Sequence, residues 1–212
     1  SAYLMLKGWS LMGDALAHSI VPGVVLSYIL ALPFAIGAFF AGLLAAMSMA
    51  IVKKRTKLRE DAVIGLVFTA FFAAGLLLIS IRPISISIQA IIFGNILAIS
   101  TDDINQVSAI SIICLLVLLL TWRDLLVMFF DEDHARSVGV RVTGLKILFF
   151  TLLSAACVAA LQTVGAILVI ATVITPGATA YLLTDKFSRL IIIAILLGSV
   201  TNGVGAYASF FF

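Results

Sequence analysis

The sequence predicts an all-α, polytopic transmembrane bundle of about seven helices, forming a single domain over residues 1–212. Three observations carry this reading. Hydrophobic residues make up 63% of the chain and charged residues 11%, with a mean hydropathy of +1.27, whereas soluble chains are about 45–50% apolar and about 25% charged. Apolar runs of roughly 20 residues, the length that crosses a bilayer as a helix, recur along the whole chain. These runs lack the strict alternation of barrel strands, and hydrocarbon tolerates only helices and closed barrels because it cannot satisfy exposed backbone polar groups.

The runs fall at 11–30, 33–52, 62–80, 106–122, 145–162, 164–183 and 190–209, each bounded by charges or turn formers. The first contains Pro22, where a kink or opened backbone is expected. The sixth is interrupted by Thr175-Pro176-Gly177, a hinge or a packing feature. The apolar stretch 84–100 is broken by Gln89 and Gly94-Asn95 and follows Pro83, so it is expected to form short helices or a re-entrant hairpin that does not cross. Gly37 with Ala41, and Gly198 with Asn202 and Gly203, supply small-residue spacings for close helix contact. Gln162 and Asn202 read as helix-to-helix hydrogen bonds, and Cys114 and Cys157, both inside spans, as packing residues.

Orientation follows from the positive charges. Lys53, Lys54, Arg55, Lys57 and Arg59 share one loop, and Lys7, Arg123, Arg136, Arg141, Lys146, Lys186 and Arg189 join them on one side if 84–100 does not cross. Arg82 alone remains opposite, a twelve-to-one split that assigns the basic side to the cytoplasm. The opening Ser1 to Leu6 reads as the tail of a span already under way, and a further span is expected beyond Phe212. The net charge of +3 comes from these short breaks and implies no nucleic-acid partner.

Nine of the ten acidic residues lie in loops or at span ends. Asp14 lies at the head of an apolar span, with His18 four residues later on the same helix face. An ionisable residue inside a span is costly and normally faces a partner, a water-filled path or a substrate. Carboxylate oxygen plus imidazole nitrogen suits divalent manganese, iron or zinc. The same pair also fits an ion pair that fixes helix packing, or Asp14 capping a helix. Two ligands do not close a site, and a symmetric second copy would supply another Asp and His. His134, in Asp131-Glu-Asp-His-Ala-Arg-Ser-Val-Gly139, reads as part of a short solvated helix capped by Asp131 and ended near Gly139, suited to docking on a partner. The chain shows no nucleotide loop, zinc-protease motif or nucleophile elbow, so it is not expected to be an enzyme.

Five segments resemble the membrane permease subunits of the manganese, zinc and iron ATP-binding cassette importers, the ABC-3 or metal-chelate permease family. They are Leu6-Lys-Gly-Trp-Ser-Leu-Met-Gly-Asp-Ala-Leu-Ala-His-Ser-Ile-Val-Pro-Gly23, the basic loop into Arg59-Glu-Asp-Ala-Val-Ile-Gly65, Phe93-Gly-Asn-Ile-Leu-Ala98, Asp133-His-Ala-Arg-Ser-Val-Gly-Val140 and Val164-Gly-Ala-Ile-Leu-Val-Ile-Ala-Thr-Val-Ile-Thr-Pro-Gly-Ala-Thr-Ala-Tyr181. Together they cover nearly the whole chain. Lys7-Gly8-Trp9, where many members carry two arginines, resembles the iron and manganese branch more than the zinc branch. Gly177 departs from the alanine that often follows the proline.

The resemblance implies a type II-like importer permease in the bacterial cytoplasmic membrane, paired with an identical or similar permease. Two cytoplasmic ATPase subunits and an extracytoplasmic metal-binding protein complete the assembly. The family's intramembrane metal site maps onto Asp14 and His18. Its coupling helix maps onto the loop at about 130–143, with Ala135 and Gly139 in the family's small-residue and glycine positions and Asp133 and Val138 beside them as ATPase-coupling residues. No cofactor is implied to be resident; the divalent metal is cargo, moved by alternating access. Two other readings stay open: a gradient-driven secondary transporter in which Asp14 and His18 carry protons, and a structural membrane subunit without an ion site.

Overall fold

The computed structural model describes residues 1–9, 11–81, 100–209 and 211. Nine helices order these residues: α1 Ala2–Leu6, α2 Met12–Ser19, α3 Val21–Ile29, α4 Phe34–Arg55, α5 Glu60–Ile81, α6 Thr101–Phe130, α7 Glu132–Ser137, α8 Val142–Leu183 and α9 Phe187–Ala208. Among the described residues, six helical stretches are long and apolar enough to cross a membrane. The first of these, Met12–Ile29, is α2 and α3 together, interrupted at Ile20. Pro22 lacks the N–H that would bond the His18 carbonyl, so the expected kink falls two residues before the proline.

Six such stretches stand against the seven expected, and the difference lies at α8. Its backbone departs from helical values at Gly165, with φ 75° and ψ 170°, a conformation essentially restricted to glycine. The first limb, Val142–Gly165, is one of the six stretches; beyond the break, Ala171–Leu183 is a shorter apolar helix. The chain turns back there. Phe149 and Phe187 both lie against the Tyr3 ring, at centroid distances of 6.2 and 5.1 Å, whereas an unbroken helix from Phe149 to Leu183 would run about 50 Å. The Thr175-Pro176-Gly177 stretch is therefore not the interruption. Helix continues through it, and Pro176 serves packing, its ring 3.4 Å from where a Cβ on Gly198 would stand.

α6 also differs from expectation, continuing past Arg123 and Asp124 to Phe130. Leu125, Met128 and Phe129 are buried at i, i+3 and i+4, so the core-facing stripe persists through the charged pair. Ser100 caps its start, accepting from the Asp103 N–H at 3.1 Å. Because α5 leaves the end marked by Lys53–Glu60 and α6 returns to the end marked by Lys7–Glu132, Ile81 and Thr101 both lie at the opposite end. Phe187 returns to Tyr3, which brings Lys186 and Arg189 to the basic end as well. Apart from Ser100, the readings of segment 84–100 and of Arg82 concern positions outside the described residues.

The site-bearing α2 and α3 run through the middle of the bundle. A Cβ on Gly23 would stand 2.0 Å from the Gly37 carbonyl oxygen of α4, and one on Gly37 would stand 2.0 Å from Ser27 Oγ. Gly75 of α5 closes the other side, 3.1 Å from Pro22 N by the same measure. Ser154 of α8 donates to the Phe39 carbonyl of α4 at 3.2 Å, over Gly42, whose added Cβ would meet Ser154 Oγ at 2.4 Å. Gly37 and Ala41 thus act as read from the sequence. Gly203 does not among the described residues, since a Cβ placed there would meet no other part of the bundle within 4 Å. Nor does Asn202 bridge helices; it is exposed and donates to its own Gly198 carbonyl at 2.8 Å, and Gln162 Oε1 is buried without a hydrogen-bond partner.

Glycine substitutions separate these positions. Gly23→Val and Gly37→Val force backbone apart and are expected to cost more than about 2 kcal/mol, read as lost thermal stability of the detergent-solubilised protein. Gly65→Ala, in open space, is expected to be neutral or to stabilise α5 by up to about 1 kcal/mol.

Candidate functional site: an intramembrane Asp–His pair and a cytoplasmic docking helix

α2 places Asp14 in its first turn and His18 in its last, the order the helix dipole favours. Asp14 does not cap the helix: Leu11 holds that position and no side-chain bond is made there. The α2 face carrying Met12, Ala15, Leu16 and Ser19 is buried. The two ionisable side chains keep 37% and 31% of their surface, for Asp14 and His18 in that order, so they line a partly open face.

His18 Nε2 stands 3.2 Å from Asp14 Oδ1, yet that oxygen is buried and accepts no hydrogen bond from the described residues. The contact is close without being an aligned hydrogen bond, which leaves a carboxylate lone pair uncommitted. On α5, Phe68 and Phe72 hold the imidazole between them, with ring centroids at 5.5 and 5.6 Å. Two donor atoms 3.2 Å apart, each about 2.1 Å from one ion, subtend roughly 100°, between octahedral and tetrahedral angles. The geometry therefore permits chelation by the pair. Among the described residues no group of three His, Cys, Asp or Glu side chains gathers to complete a site.

At the cytoplasmic end, α7 is a six-residue helix closed at both ends by local bonds. Asp131 Oδ1 accepts from the Asp133 and His134 N–H groups at 2.9 and 3.0 Å. These two bonds, that from His134 the larger, hold the Asp131 carboxyl below the usual aspartate range. At the far end Gly139 takes φ +85°, and the Gly139 and Val140 N–H groups return to the Arg136 and Ala135 carbonyls at 3.1 and 2.9 Å, a Schellman closure. Ala135 is fully buried, whereas Val138 is 57% exposed and Asp133 and Gly139 are exposed. Asp133 contributes only its backbone N–H to the cap. His134 is exposed, as a solvated helix requires.

The profile of the ABC 3 transport family matches residues 1–212. The chain belongs to that family. It is 63% identical over 211 residues to the "Chelated iron transport system membrane protein YfeC" of Yersinia pestis, covering all of this chain and 72% of that protein. Identity to the "Manganese transport system membrane protein MntB" of Synechocystis sp. is 47% over 215 residues, covering all of this chain and 69% of that protein. The solved structure of "PsaBC from Streptococcus pneumoniae in complex with Fab" superposes with a TM-score of 0.84 at 36% identity, covering 99% of this chain and 76% of that one. This ABC 3 protein is a multi-pass permease subunit of the cytoplasmic membrane.

Several residues of this permease that the sequence passed over emerge as connectors. Glu132 of α7 pairs with Lys7 at 3.3 Å and Lys146 at 2.7 Å. Burial opposes its charge, but Lys146 and then Lys7 outweigh that and hold its carboxyl below the usual glutamate range. Trp9 Nε1 donates to Glu60, which also meets Lys53 at 3.8 Å. The sequence marks Lys53 and Lys146 only as orientation charges, Lys7 as one of these and as part of the Lys7-Gly8-Trp9 segment, and does not single out Phe68 or Phe72. No local spacing links them; only the fold does.

A folded pKa below the unfolded one contributes stability above the ordinary carboxylate range, lost as pH falls through the folded value. Asp131→Ala is expected to reduce amide protection at Asp133 and His134 at neutral pH. Native and variant profiles are expected to converge as pH falls below the ordinary aspartate range and the carboxyl protonates, in hydrogen exchange on the detergent-solubilised protein.

Proposed function

We propose that this permease moves a divalent transition metal, manganese or iron, into the cytoplasm, and that Asp14 and His18 are its intramembrane ligands. The observation that carries the reading is the pair itself: a buried carboxylate oxygen with no hydrogen-bond partner, 3.2 Å from an imidazole nitrogen, inside a span. A carboxylate in a span costs about 3 kcal/mol by insertion scales, and a packing role would engage that oxygen rather than leave it uncommitted. The names of relatives that carry iron or manganese support the cargo class. Oxygen and nitrogen donors suit manganese, iron and zinc alike, so selection among them rests on geometry and on the delivering protein.

The pair occupies two coordination positions, and a second permease facing it supplies the remainder by symmetry or near-symmetry. Two cytoplasmic ATPases bind the α7 loop, where Val138 and Asp133 face outward and Ala135 and Gly139 fix the turn. ATP hydrolysis occurs in those subunits. An extracytoplasmic binding protein delivers the ion to the opposite end, and alternating access passes it between them. The metal is cargo and not a resident cofactor.

ATP-driven uptake of manganese, iron and zinc by the full-length complex in liposomes tests the reading. Asp14→Asn and His18→Ala are each expected to lower uptake by more than about tenfold, a loss in the range already seen for outer-shell metal partners, with the ATPases still bound. Uptake that persists in both variants returns the pair to helix packing. Uptake that survives removal of the ATPases makes the protein a gradient-driven carrier.

A further inference from the structure

We infer that Glu132 is a transmission residue, and that the Lys7–Glu132–Lys146 ion triad, with the Trp9–Glu60 bond beside it, carries displacement of α7 to the Asp14–His18 pair. The inference rests on the function proposed above. Glu132 follows directly after the capping Asp131 and is the α7 side chain that forms ion pairs with the rest of the bundle, to Lys7 and Lys146. The Lys146 arm ties α7 to the first limb of α8, and the Lys7 arm ties it to the segment that leads into α2.

The described residues of that segment are held by local bonds. α1 ends in a Schellman closure, with Gly8 at φ +71° and the Gly8 and Trp9 N–H groups donating to the Met5 and Leu4 carbonyls at 3.1 and 2.8 Å. The Met12 N–H then donates to the Trp9 carbonyl at 3.2 Å, and Asp14 stands two residues further on. Trp9 is itself clamped, stacked on Phe150 with centroids 5.6 Å apart and set edge-on to Phe129. A shift at Lys7 therefore moves the base of α2 instead of dissipating in a flexible linker.

A second branch reaches the other ligand. Trp9 bonds Glu60, the first residue of α5, and the same helix carries Phe68 and Phe72 against the His18 ring. One short segment, Lys7-Gly8-Trp9, thus joins the docking helix to both ligand-bearing elements. A cavity of about 600 Å³, lined by Lys7, Trp9, Met12, Glu60, Glu132 and Lys146 among others, lies beside the junction. Lys7, Glu132 and Lys146 keep between 24% and 32% of their side-chain surface. The pairs can break and reform there, which a fully buried triad could not do without heavy cost.

The test is the ratio of metal transported to ATP hydrolysed by the full-length complex in liposomes. Lys7→Met is expected to lower that ratio about fivefold, within the span that coupling residues modulate, while ATPase co-purification and hydrolysis stay within about twofold of native. Lys7→Arg, which keeps the ion pair, restores the ratio. The relay is overturned if Lys7→Met leaves the ratio unchanged, or if transport and hydrolysis fall together because α7 merely loses its dock. A native complex that moves no metal defeats the proposed function, and the relay with it.

Discussion

The close crossing of α3 on α4 at Gly23 and Gly37 is the constraint on which the rest depends. In a bilayer the lipid chains are as apolar as leucine, so helices gain little by hiding hydrophobic surface and associate through packing at short range. A carbonyl oxygen placed 2.0 Å from where a Cβ on Gly23 would stand means that backbones meet with no side chain between them. Gly75 of α5 packs on Val21 and Pro22 at the start of α3, and the Ser154 bond to Phe39 draws α8 onto α4. With three helices around it, α2–α3 keeps a fixed depth and rotation. Asp14 and His18 then present themselves together on a partly open face.

The opposite demand holds at the cytoplasmic end, where charges instead of glycines make the contacts. Glu132, Lys7 and Lys146 form pairs that keep between 24% and 32% of their side-chain surface in contact with solvent. Exposed ion pairs contribute about 1 kcal/mol or less each, so this junction orients more than it stabilises. Rigid backbone contact inside the membrane and weak, breakable pairs outside it would suit the proposed coupling, in which the bundle persists while α7 is displaced. The two regimes meet at Trp9, aromatic on one side and hydrogen-bonded to Glu60 on the other.

Much of the fold was legible in the sequence because the bilayer removes alternatives. The basic loop at 53–59, the Asp131 cap, the Gly139 stop and the break near Pro22 rest on local chemistry, and each acts where read. The errors have one origin. Thr175-Pro176-Gly177 was left open between hinge and packing, because whether a proline breaks a span or packs on a neighbouring glycine depends on what lies across from it, here Gly198. Asn202 and Gln162 were assigned partners on other helices, but Asn202 is on an exposed face and bonds its own helix. Arg123 and Asp124 seemed to end a span whose buried stripe runs on through Leu125 and Met128.

The sequence by itself determined that the chain is membrane-embedded, which end is basic, where the ionisable pair lies and that its spacing puts both groups on one face. Those follow from composition, charge placement and helical period, which are properties of neighbours along the chain. Only the tertiary structure decided that Asp14 Oδ1 lacks a hydrogen-bond partner, that Phe68 and Phe72 hold His18, that α8 folds back at Gly165 and that Glu132 reaches Lys7 across 125 positions. Each of these depends on which distant segments are brought within a few ångströms of one another. No periodicity encodes that, because it is set by how the glycine-lined helices fit.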